Sequence, residues 1–159
     1  MKWVSHIAIG GALAAVIDPI LVPIAVVGAT APDWMEWVLK GVGKPVKHRT
    51  VTHYLVAWVA FVLFSLFVWD WHNILLAFSI GGLSHILCDS FTVMGVPFGW
   101  WSDRRFHLFG GRLRTGQPGE YLLTGGIVLA CMFISWQTNA WTESFSHFFI
   151  TGASCTTRA

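Results

Sequence analysis

Residues 54–71 (YLVAWVAFVLFSLFVWDW) and 74–96 are two nearly unbroken apolar runs joined by a tight turn at 70–73, DWHN. At about 1.5 Å of rise per residue, either run can cross most of a hydrocarbon core about 30 Å thick. Such a pair predicts a helical hairpin in lipid, where backbone amides must be satisfied internally. Two further apolar segments accompany it. The first, 7–27, is broken by Asp18, Pro19 and Pro23; the last, 121–141, carries Gly125, Gly126 and Ser135, which suit close helix contact. Charged residues make up 11% of the chain, against about 25% in a soluble domain. The expectation is one all-α domain over residues 1–159. It is a polytopic membrane helical bundle of three to four spanning helices, with a broken or re-entrant first segment and polar loops at 28–53 and 97–120.

The basic residues give the bundle a direction. Lys40, Lys44, Lys47 and Arg49 fall in one polar loop, and Arg104, Arg105, Arg112 and Arg114 in the other. Because the DWHN hairpin separates these loops, both lie on one side, and the Lys/Arg bias makes it cytoplasmic. Tryptophans 34, 37, 69, 71, 100, 101, 136 and 141 stand near the ends of apolar runs, as an interfacial aromatic belt requires. A formal charge of +2 is too small to indicate nucleic acid. Cys88, Cys131 and Cys155 are an odd count without a C-x-x-C pair and read as small apolar fillers. Lys2 and Ala29-Thr30-Ala31 mimic a secretory signal, but the prolines around them argue for retention.

Metal-ligand residue types gather on the basic side. Asp33 and Glu36 lie in APDWMEW, His48 and His53 in KHRTVTH, and His85 and Asp89 in SHILCD, with His6 near the start. An aspartate at membrane depth costs at least about 2.5–3.5 kcal/mol, and a bound cation offsets that. Imidazole and carboxylate suit zinc, and also manganese or iron. His6, Asp33, His48, His53, His85 and Asp89 make six candidate ligands. That exceeds one ion's need and points to possibly two, an arrangement suited to phosphoryl displacement by activated water. Glu36 is the candidate general base.

Supporting parts remain open between two readings. Arg49, Arg104, Arg105, Arg112 and Arg114 either hold phosphate oxygens of a substrate or are topology determinants drawn to anionic lipid. Thr52 and Ser84 each precede a histidine and are either supporting donors or ordinary small residues; Glu120 either orients a ligand or favours a helix start. His6 can join the other ligands only if the first segment enters and returns on one side. The Asp18-Pro19 break and Pro23 favour that answer.

In order, Ser5-His6, Pro32-Asp33, HRTVTH (48–53), SHILCD (84–89) and TGQPGE (115–120) resemble the YdjM-like membrane-bound metal-dependent hydrolases, a LexA-regulated family. Where that family often reads Pro-Asp-x-Asp, position 35 here is methionine. The resemblance implies a bacterial inner-membrane, multi-pass hydrolase. The resemblance fixes no substrate; the two-ion reading makes a phosphoester such as a lipid headgroup the expected one, with membrane lipids as surroundings. The alternatives are a metal-ion transporter and a non-catalytic membrane interaction protein.

Overall fold

The computed structural model describes residues 1–44, 49–138 and 141. Five helices carry the chain: α1 (Trp3–Ile17), α2 (Val22–Gly41), α3 (Leu55–Phe67), α4 (Ile74–Ser90) and α5 (Pro118–Gln137). A two-stranded antiparallel sheet, β1 (Val96–Gly99) and β2 (Ser102–Phe106), stands between α4 and α5. The mostly helical architecture agrees with the all-α expectation; the small sheet is an addition to it.

The first apolar segment is broken where expected. Asp18 is extended, its carboxylate accepts the Ile20 N–H at 3.0 Å, and Pro19 opens a single 3-10 turn. The chain then reverses, and α2 runs back beside α1. This return brings Asp33 to the level of His6. The expected loop at 28–53 is helical as far as Gly41. Pro32 looks like a breaker but removes only one N–H, and the helix continues through it. The other bounds shift inward, with α3 closing at Phe67 and α4 at Ser90. Between them Asp70 accepts the N–H groups of Leu75 and Leu76 at 2.9 and 3.3 Å, capping α4.

Helices α2 and α4 cross with their backbones in contact. A Cβ on Gly28 would overlap the Phe78 carbonyl, and one on Gly81 would overlap the backbone of Ala25 and Ala29. The main core cluster lies beside this crossing, with Ala31, Trp58, Ile86 and Val96 buried and Phe61, Phe78 and Phe106 packed on them. The α5 helix lies along α1 in parallel. Ser5 meets Glu120 near one end and Ser135 donates to the Ala15 carbonyl at the other.

The outer surface is apolar. Val59, Leu63, Phe64, Leu66 and Phe67 of α3 and Leu122, Leu129, Met132 and Phe133 of α5 are exposed, a pattern made for lipid. By length and composition, α5 can cross a membrane, while α1, α3 and α4 are shorter apolar helices. Every described Lys and Arg lies at the end where α1 and α5 begin and α2 and α4 finish.

The crossing yields a paired prediction. Gly81→Val forces α2 and α4 apart and lowers stability by about 3 kcal/mol or more, a severe case of overpacking. Gly125→Ala, with open space around its Cβ, is neutral or stabilising. Unfolding in detergent micelles followed by circular dichroism distinguishes the two.

Candidate metal centre

Four parts of the chain meet at the basic end: α1 with His6, α2 with Asp33, the 3-10 turn Val51–His53 with His53, and α4 with His85 and Asp89. On α4, residues 85 and 89 share a face because they are four apart. Asp89 presents Oδ1 to His6 Nε2 at 3.4 Å and Oδ2 to His85 Nε2 at 3.6 Å. Asp33 Oδ1 lies 3.4 Å from His53 Nε2 and 3.8 Å from His85 Nε2. The rings of His6 and His85 stack at 3.7 Å, and His53 meets His85 edge-on at 5.4 Å. Two groups of potential ligands result, His6–His85–Asp89 and Asp33–His53–His85, each with its ligand atoms within 4.8 Å of one another.

These separations are long for hydrogen bonds. They are close to what a shared cation requires: two ligands at 2.0–2.2 Å in a tetrahedral arrangement sit ~3.3 Å apart. Burial sharpens the point. His6, His53, His85 and Asp89 are almost wholly out of solvent, while Asp33 keeps some exposure. Both ring nitrogens of His6 and Nε2 of His85 lack a hydrogen-bond partner among the described residues. Buried polar atoms are ordinarily paired, so these nitrogens suit an ion. The residues present therefore fit a divalent metal.

The rings are also prepared electronically. The Ala29 carbonyl, one residue beyond the carbonyl that Pro32 deprives of a donor, accepts from His85 Nδ1 at 2.7 Å. A carbonyl only accepts, so Nδ1 holds the proton and Nε2 turns its lone pair inward. Thr52 Oγ1 meets His53 Nδ1 at 2.9 Å. Burial pushes His53 below the ordinary histidine range, which keeps it neutral, the form that binds metal.

Arg49 is buried against this group. Its Nη2 donates to Asp89 Oδ1 at 2.8 Å and its Nη1 to Thr92 Oγ1 at 3.0 Å. The Met1 ammonium also contacts Asp89. The Arg49 backbone is left-handed, with φ 55°, and its N–H reaches Glu36 Oε2 at 3.4 Å. Glu36 is buried outside both ligand groups and accepts from Lys40 at 2.7 Å.

The remaining expected residues are placed as follows. His48 lies outside the described residues. Ser84 donates its hydroxyl to the Gly81 carbonyl at 2.7 Å, within its own helix. Arg104 and Arg105 stand exposed on β2, away from the ligand groups. Glu120 is fully buried and accepts from Lys2 N at 2.6 Å, Ser5 Oγ at 2.7 Å and Gly116 N at 2.6 Å, clasping α5 to the start of α1. Sequence reasoning missed Thr92 as a partner of Arg49. Its position three residues after Asp89, one helical turn on, is the signal that points to it.

The Glu120 clasp predicts a graded result. Glu120→Ala strands donors in a buried place and costs about 3 kcal/mol, whereas Glu120→Gln keeps one acceptor and costs less. Chemical unfolding in micelles measures the difference.

A family model described as YdjM inner membrane protein matches residues 1–155, which takes in all five helices and every ligand-type residue of the centre. No curated protein and no solved structure matches the chain. Both the ordered motifs and the match over residues 1–155 lead to one assignment: the chain belongs to the YdjM inner membrane protein family.

Proposed function

We propose that this protein is a multi-pass, membrane-embedded, metal-dependent hydrolase acting on a phosphoester such as a lipid headgroup at the cytoplasmic face. One observation carries the reading. Three imidazoles and two carboxylates from four separate parts of the chain converge, with His6 and His85 presenting buried ring nitrogens that have no hydrogen-bond partner among the described residues. His6, His53, His85, Asp33 and Asp89 would hold the ion, zinc being the best match to this donor set, with manganese or iron next. When bound, it would supply Lewis-acid polarisation of a phosphoryl oxygen and activation of water.

The number of ions follows from His85. Its Nε2 belongs to both ligand groups, and one lone pair serves one cation. At least one ion is therefore proposed. A second would draw on Asp33 and His53.

The other residues take parts that need no ion. Arg49, beside Asp89, offers a guanidinium to a phosphate oxygen. Of the ligands themselves, Asp33 is the more exposed carboxylate, and its second oxygen would be able to receive a proton from water. Glu36, expected as the base, contacts the Arg49 backbone and so also seats that arginine.

A non-catalytic helix lock has one specific observation in its favour, since Arg49 and the Met1 ammonium already neutralise Asp89. A transport path would need ligands at successive depths, and among the described residues both ligand groups lie at one end.

Elemental analysis of the purified protein should find about one or more equivalents of divalent metal per chain, the need of a single site. His85→Ala should weaken retention by more than about 100-fold, beyond the loss typical of an outer-shell change. Hydrolysis of phosphodiester lipids in micelles should stop on chelation and return with added zinc or manganese. A metal-free protein that remains folded, or a His85→Ala variant as active as the parent, would overturn the proposal.

A further inference from the structure

The β1–β2 hairpin takes no part in the metal centre, yet its surface is built for a ligand. Val96 and Phe106 face each other across the ladder and anchor it in the core, next to Trp58 and Leu55 of α3. Beyond that anchor the tip is apolar and open: Trp100 is 71% exposed, Trp101 56% and Phe98 42%. Trp101 packs edge-on against both Trp100 and Phe98. Behind the tip, Phe98, Trp101, Ser102, Arg104, Arg105 and Phe106 line a cleft of about 390 Å³.

The position of the hairpin indicates what meets it. It is seated at the start of α3, whose exposed face is Val59, Leu63, Phe64, Leu66 and Phe67. A helix with that face looks onto lipid chains, so its basic end lies among the headgroups. Exposed tryptophans are favoured there, as are arginines whose stems lie along apolar surface. Among the described residues, neither Arg104 nor Arg105 has a carboxylate partner; Arg105 Nη1 makes only a 3.3 Å contact with the Met94 carbonyl. Two planar guanidiniums beside a hydroxyl and three aromatic walls match a phosphodiester attached to an apolar body.

We propose that this cleft binds the phosphate headgroup of an anionic membrane lipid, with the acyl chains lying along α3. No residue lining it belongs to either ligand group, so the two sites succeed or fail independently.

The test uses the full chain in nanodiscs of phosphatidylcholine, with or without phosphatidylglycerol. Native mass spectrometry reads the lipid retained, and hydrogen exchange reads the amides of residues 96–106. Phosphatidylglycerol should be retained preferentially and should slow exchange in the hairpin. Arg104→Gln with Arg105→Gln should reduce retention by about tenfold or more, the loss that follows when charge-assisted hydrogen bonds to a phosphate are removed. Arg112→Gln with Arg114→Gln removes the same charge elsewhere at the same end and should change retention little. Metal content should stay at the parent value in both variants. Equal loss in the two double variants would reduce the effect to general surface charge and overturn the site. So would no preference for phosphatidylglycerol, or equal protection by inorganic phosphate in pure phosphatidylcholine discs.

Discussion

Backbone contact between α2 and α4 is the constraint on which the molecule depends. Gly28 and Gly81 let the two helices approach until main chain meets main chain. At that separation the Ala29 carbonyl reaches His85 Nδ1, and Asp33 comes level with the same ring. A side chain at either glycine would widen the gap and pull Asp33 and the Ala29 carbonyl away from the imidazole. Packing and chemistry are therefore set by one distance. The hydrophobic clusters on either side hold it, but they do not choose it.

Charge is arranged around this contact with similar economy. Asp89 is nearly sealed from water and is faced by two imidazoles, a guanidinium and a terminal ammonium. A buried carboxylate without such company would carry a desolvation penalty of several kcal/mol. The basic side chains of the described residues share this end, while the opposite end has Asp18, Asp70 and tryptophans. Among the described residues the buried acidic and basic side chains are confined to one end of an otherwise apolar body, which is the distribution a membrane tolerates.

Much of this was legible in the residues and some was not. The His85–Asp89 pair follows from helical spacing, and the DWHN turn from its composition. The reversal near Asp18-Pro19 was legible because His6 could not otherwise reach its partners. The continuation of α2 past Pro32 was hidden, because a proline inside a helix reads as a stop unless neighbouring packing holds the helix on course. The hairpin at 96–106 was hidden too. Its strands are four and five residues long and interrupted by a bulge, with two arginines in the second and two tryptophans in the turn, so no alternating pattern announces them. Within the candidate centre, the residue types and their order are visible in the sequence, but the hydrogen bonds that orient them are not. The Ala29 carbonyl has no letter in the sequence, and Glu120 looks like any carboxylate at a helix start.

That acceptor on Ala29 has a consequence for how such a protein can be tuned. The group that fixes the tautomer of His85 belongs to the main chain, so no conservative exchange at position 29 can delete it or alter its basicity. Variation can act on it only by shifting the helix that carries it. The reactivity of this imidazole is thus governed by tertiary placement and lies beyond the reach of simple point changes at the contact itself.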